Sequence, residues 1–143
     1  MISENDKLKQ EIWSSFNEQQ HIFIATAEGD QPRLRPVTLI RLQNRLYVAT
    51  GANDAKIKQI KQNPKTELCL MLEKEGQHGT IRAECIAKIV ADANTKAKIY
   101  NKIPVLKEFW KSPEDPGYTL VELQPKSFEY MPPGSIQSVK IKL

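Results

Sequence analysis

The sequence predicts a small, mainly antiparallel β-barrel with flanking helices. Apolar, β-prone segments follow one another through the first half with hairpin-length connections, and short connections force antiparallel pairing. The regular strand–helix alternation of a doubly wound parallel sheet is absent. Helical periodicity is concentrated near the N-terminus, in one short basic segment and in an insert at about residues 93–111. The expected count is six to eight strands and about three helices.

Taken in order, Ser3 is placed to cap a helix over about residues 3–19, where Leu8, Ile12 and Phe16 recur at i, i+4, i+8 with Trp13 beside them. His21–Ala27 reads as a strand apolar on both faces and ends in the turn Glu28-Gly29-Asp30. Arg33–Leu42, a Gln43-Asn44 turn and Arg45–Thr50 complete a meander. A short helix follows in the segment Ala55–Pro64, with Asn53 or Asp54 as its cap and Pro64 as its stop. Thr66–Glu73 and Thr80–Ala91 form two long strands around the turn Glu75–Gly79, and both carry apolar residues on two faces. Pro104 divides the helical insert, because proline removes a donor and clashes with the preceding turn. Tyr118–Leu123 and Ser127–Met131 read as separate strands. A Met131–Gly134 turn and an edge strand at Val139–Leu143 follow.

The 143 residues are expected to form a single domain with room for a hydrophobic core. At 40% hydrophobic and 27% charged the composition is that of an ordinary globular protein. The net charge of +4 is spread along the chain, and the densest basic run, Lys56–Lys65, contains no aromatic residue. A nucleic-acid surface concentrates Lys and Arg with interleaved aromatics, so a basic nucleic-acid-binding barrel is the least favoured class. Cys69 and Cys85 lie in strand patterns without metal-ligand spacing and are expected to be reduced, buried thiols of a cytoplasmic protein. The first residues have no apolar signal-peptide core, and no run approaches the ~18 apolar residues of a membrane span.

Two segments carry the chemistry. Period-two alternation puts Arg33, Arg35, Val37, Leu39 and Arg41 on one face of their strand. Pro36 cannot donate to a ladder, so the strand is expected at an edge or bulged there, with free backbone groups beside it. Arg33 and Arg41 read as solubilising edge charges, whereas Arg35, next to Pro36, reads as functional. In the helix that starts at Ala55, Lys56 and Lys58 occupy the first turn, where the helix dipole disfavours cations by a few tenths of a kcal/mol up to ~1 kcal/mol. A bound anion reverses that sign, since free N–H groups, dipole and ammonium then converge on one negative group. A phosphorylated cofactor is the hypothesis this implies. Catalytic constellations are otherwise absent: His21 and His78 stand apart, and no nucleophile elbow, zinc helix or Walker loop occurs. Any chemistry is therefore expected to reside in a cofactor, with the protein's own catalytic residues unidentified.

Ala25-Thr26, Gln31–Val37, Arg45–Thr50, Lys56 and Asn63-Pro64-Lys65 resemble, in order, the pyridoxamine 5'-phosphate oxidase-like superfamily of FMN-binding split β-barrels, including its general-stress-protein branch. A weaker echo runs through Tyr118–Pro125 and Phe128–Tyr130. The resemblance implies an FMN flavoprotein, an oxidoreductase acting on a small molecule with NADH or NADPH as a candidate reductant. The alternative is a non-catalytic carrier of flavin or another flat cofactor such as haem. It implies that Arg35 contacts the FMN phosphate, and that Pro36, Val37 and Thr38 lie along the ring. It places Thr50 near the phosphate or ribityl chain and Lys56 on the phosphate. It further implies a homodimer with FMN at the interface, and Trp110 or Phe109 as part of the partner's wall of the site. Three positions depart from the pattern: Asp54 stands where relatives often carry serine, Thr80 where true oxidases carry a flavin-touching glutamine, and Cys85 where glycine is common. The C-terminal tryptophan–arginine segment of those enzymes has no counterpart, so pyridoxine oxidation itself is not expected.

Overall fold

A computed structural model describes residues 1–143. Its elements are α1 (Glu4–Ser14), β1 (Gln19–Glu28), β2 (Gln31–Leu42), β3 (Arg45–Gly51), α2 (Ala55–Gln62), β4 (Lys65–Lys74), β5 (Gln77–Ile89), α3 (Ala93–Lys102), α4 (Leu106–Phe109), β6 (Tyr118–Met131) and β7 (Val139–Lys142). The strands form one antiparallel sheet in the order β3-β2-β1-β4-β5-β6-β7, and β3 also pairs with β6. That second pairing closes the sheet into a ring of six strands, with β7 outside it. The expected antiparallel barrel is the observed fold.

The closure is incomplete in a way that matters for the site. β2 pairs with β1 along its whole length, from Glu28↔Gln31 to Gln19↔Ile40. It meets β3 only at Ile40–Leu42 against Arg45–Tyr47. Beyond those pairs the two strands splay, and residues 31–39 of β2 have a neighbour on one side only. Pro36 lies in that open edge, where a missing N–H leaves no ladder bond unmade.

Three boundaries differ from the sequence expectation, each for a local reason. Ser3 does cap α1, its hydroxyl accepting from the Asp6 N–H at 3.1 Å, but the helix ends at Ser14. There the Arg41 guanidinium takes the carbonyls of Trp13 and Phe16, at 2.5 and 2.9 Å. Arg41 therefore ties β2 to the end of α1 and is not a solubilising edge charge. The turn before β5 is only Glu75-Gly76, both with positive φ (53° and 78°), so the strand starts at Gln77. The two strands expected at 118–123 and 127–131 are one, β6. Its partner on one side changes from β3, which ends opposite Leu123, to β7, which begins opposite Ser127. Pro125 falls in that gap, and a bulge opposite Glu84/Cys85 absorbs the extra residue.

Inward-facing residues fill the barrel. Ile22, Ile24, Leu39, Leu46, Val48, Leu68, Leu70, Ile81, Val121 and Phe128 make its core, closed by Ile12 of α1, by Phe16 just after it and by Ile57 and Ile60 of α2. Trp13 meets Phe128 edge-on at 5.5 Å. A second cluster, Ile40, Tyr47, Ile99, Tyr100, Ile103, Leu106, Tyr118 and Leu120, packs α3 and α4 on the outside of β3 and β6. As expected, Pro104 separates these two helices. β1 alternates instead of burying both faces: Ile22, Ile24 and Thr26 point in, while Phe23 remains 42% exposed. The outer face of β5 is mostly polar, since Thr80, Arg82, Glu84 and Lys88 occupy it and Ile86 is its one apolar residue between them.

Candidate functional site

The splayed edges of β2 and β3 form the walls of a cleft of about 480 Å³. Val37 and Thr38 line it from β2, Val48, Ala49 and Gly51 from β3, and Gln19 and His21 from the start of β1. Ile103, Val105, Leu106, Phe109 and Trp110 cover the opposite side. Nine of its fourteen lining residues are hydrophobic, so the cleft suits a flat apolar body held by a few polar groups. Lys56 is the one Lys, Arg, Asp or Glu among its lining residues.

Lys56 is placed by the start of α2. Asp54 is the N-cap, its carboxylate accepting from the Lys56 N–H at 3.0 Å. The same oxygen, Asp54 Oδ1, lies 2.9 Å from Lys56 Nζ, and the ammonium also donates to Thr50 Oγ1 at 2.9 Å. Lys56 is only 7% exposed, and Thr50, on the last turn of β3, is equally buried. The sequence left two capping residues open; Asp54 is the one used. The unfavourable placing of a first-turn cation is offset by this carboxylate, which bridges the helix amide and the ammonium.

Arg35 stands on the neighbouring face of α2. Its guanidinium donates to Thr26 Oγ1 at 2.8 Å and to Gln59 Oε1 at 2.7 Å, and the Thr26 hydroxyl donates to the same Gln59 oxygen at 2.5 Å. Gln59 follows Lys56 by three residues, so both side chains leave the helix on one side. Arg35 and Lys56 both act on Asp54. Burial would raise that carboxyl, but hydrogen bonds from Lys56 and the charges of Lys56 and Arg35 outweigh it and hold the group below its usual range. The head of α2 thus gathers two cations and one carboxylate at the polar end of an apolar cleft.

Of the residues singled out from the sequence, Val37, Thr38, Lys56 and Trp110 line the cleft, Thr50 holds the Lys56 ammonium, and Arg35 is bonded to Thr26 and Gln59 without lining the cleft. Pro36 is exposed on the open edge of β2. Trp110 lines the cleft of this chain, its ring tilted against Tyr118 with the centroids 5.2 Å apart. Arg33 pairs with Glu28 in solvent, as a surface charge should. Thr80 and Cys85 lie away from the cleft, Thr80 paired with Met71 and Met131 and Cys85 in the barrel core. The residues missed were His21, Gln19 and the 103–106 wall. The register His21↔Thr38 was the available signal for the first, because a residue opposite a cleft-lining one shares its surroundings.

A mainly antiparallel barrel, split along one strand pair and flanked by helices, defines the split-barrel class of folds. The model of the pyridoxamine 5'-phosphate oxidase family matches residues 8–132, and the chain belongs to that family. It is similar to general stress protein 26 of Bacillus subtilis (strain 168), with 24% identity over 138 residues covering 95% of this chain and 96% of that one. Among solved structures, general stress protein 26 of Bacillus anthracis str. Sterne superimposes with a TM-score of 0.77 at 27% identity, over 95% and 98% of the two chains. A pyridoxamine 5'-phosphate oxidase-related, FMN binding protein of Nostoc punctiforme superimposes at 0.69 with 17% identity, over 84% and 78%. A heme binding protein of Mycobacterium smegmatis reaches 0.77 at 10% identity, over 99% of this chain and 59% of that one. The last two likenesses establish the fold alone.

Proposed function

We propose that the protein is an FMN-binding flavoprotein that oxidises or reduces a small molecule, with the flavin phosphate at the head of α2. The observation that carries this is the apolar cleft between splayed β2 and β3, ending at the buried Lys56 ammonium. Family membership and the FMN-binding relative of Nostoc punctiforme support the choice of cofactor. The donor set fits a phosphate: Lys56 and Arg35 supply charge-assisted bonds, and the first turn of α2 supplies backbone N–H groups. Thr50 fixes the ammonium, and the open edge of β2 at Pro36, Val37 and Thr38 offers backbone groups to a ring with its own donors and acceptors. Trp110 and Phe109 supply an apolar wall on the outer side of the cleft. Bound there, FMN would supply hydride-transfer chemistry, with NADH or NADPH as the candidate donor.

The protein is expected to act as a homodimer. Phe23, Leu34 and Met71, exposed by 42%, 70% and 56%, share the outer face of β1, β2 and β4, and Pro36 lies opposite Phe23. An apolar face of that kind is ordinarily covered by a partner. The two free cysteines agree with a reducing, cytoplasmic setting.

The test is the visible spectrum of purified protein before and after FMN is added. Flavin bands that shift and sharpen on binding support the reading, whereas a haem-type spectrum or no response to FMN refutes it. Turnover with NADH or NADPH and an electron acceptor then separates an oxidoreductase from a flavin carrier.

A further inference from the structure

The geometry points to Asp54 as a residue that sets how strongly this site depends on a ligand's phosphate, an inference that rests on the FMN reading above. Its carboxylate already sits where an anion at the head of α2 would bind. One oxygen is 3.0 Å from the Lys56 N–H and 2.9 Å from Lys56 Nζ, so it engages both the first-turn amide and the only cation lining the cleft. The cap itself does not need a charge, since asparagine or serine caps a helix as well as aspartate. The charge therefore acts mainly on what surrounds it.

Lys56 faces this point directly, Arg35 is held nearby by Thr26 and Gln59, and Asp54 offsets the charge of Lys56. A phosphate dianion arriving there meets a carboxylate within hydrogen-bonding range of the same ammonium. It must either share Lys56 with that carboxylate or turn it outward. The second route is open, because the Asp54 side chain is 40% exposed while that of Lys56 is 9% exposed and held by Thr50. Either way the bond between Lys56 and Asp54 is weakened as the phosphate binds, and the repulsion falls on phosphorylated ligands alone. An unphosphorylated flavin occupying the apolar part of the cleft leaves the pair intact. Asp54 thus narrows the preference for FMN over riboflavin and makes the flavin exchangeable.

The experiment titrates the full-length wild type and Asp54→Asn with FMN and with riboflavin, following quenching of flavin fluorescence, with thermal melts of both proteins. Asparagine keeps the cap but takes the counter-charge from the nearly buried Lys56 ammonium, so the melting temperature should fall while unfolding stays cooperative, and added FMN should restore it. FMN affinity should rise about tenfold in the variant, the scale of one pKa unit of charge–charge interaction, while riboflavin affinity stays within about twofold. An FMN-to-riboflavin ratio that stays constant or shrinks would overturn the inference while leaving flavin binding intact. Binding of flavin to neither protein would overturn the FMN reading, and this inference with it.

Discussion

Replacing Lys56 by methionine removes the ammonium and keeps an unbranched stem of similar length against the cleft wall. Lys56 is almost wholly buried, with Nζ fixed by Thr50 and Asp54, so it is held in place before any ligand arrives. A charge-assisted bond from such a group to phosphate is worth about 1.5–3 kcal/mol, or roughly ten- to a hundredfold in affinity. The loss in Lys56→Met should lie toward the upper end, because Asp54 loses its cationic partner and faces the phosphate uncompensated. Riboflavin keeps the ring and lacks the phosphate, so its affinity should be nearly unchanged. Fluorescence titration of both ligands gives the two constants, and a urea melt of each protein reports whether the barrel survives. Equal losses for FMN and riboflavin with a stable fold would refute the reasoning, since Lys56 would then be shaping the cleft instead of holding a phosphate.

Arg35→Ala should also weaken FMN more than riboflavin, with some cost in stability because Thr26 and Gln59 lose their shared partner; Lys74→Ala, far off at the β4–β5 turn, should change neither titration. Arg41→Ala should lower urea stability by about 1–3 kcal/mol through the lost bonds to the α1 carbonyls and leave the FMN-to-riboflavin ratio alone. Gly79→Ala should destabilise the protein in the same assay, because a Cβ there would strike the Met131 carbonyl oxygen and come within 2.6 Å of Pro133 N and 2.8 Å of Pro132 C; a melt like that of wild type would show that the segment yields. Burial pushes the Cys85 thiol and the Tyr118 hydroxyl each up to about 12, from ordinary values near 9 and 10. The folded state holds those protons more tightly than the unfolded one, so the stability they confer is complete below pH 9 and drains away as pH rises toward 12. Urea melts across that range should show the decline, and Cys85 should resist alkylation at neutral pH in the folded protein.

Most elements announced themselves through local chemistry. Ser3 and Asp54 capped the helices whose starts they marked, Pro104 divided the insert, and the short turns gave an antiparallel meander. Pro36 identified the open edge of β2 because a missing N–H is tolerated only where no neighbour needs it. The two strands expected at 118–123 and 127–131 are one, and Pro125 sits inside it at the point where that strand exchanges β3 for β7. Only the pairing of distant strands reveals that such a gap exists. Arg41 and Arg35 have the same alternation in sequence but opposite fates, since α1 packs against one and α2 against the other. Arg35 and Lys56 were legible as a pair from spacing and helix electrostatics. His21 was not, because its place in the cleft depends on the register of β1 against β2 and on the wall contributed some eighty residues later.

The most direct test of the central claim is a crystal structure of the protein grown with FMN. The account predicts the phosphate at the head of α2, in hydrogen-bonding contact with Lys56 and near Arg35, with the ring along the open edge of β2 beside Val37 and Thr38. A flavin bound elsewhere, or one whose phosphate points into solvent away from Lys56, would contradict it.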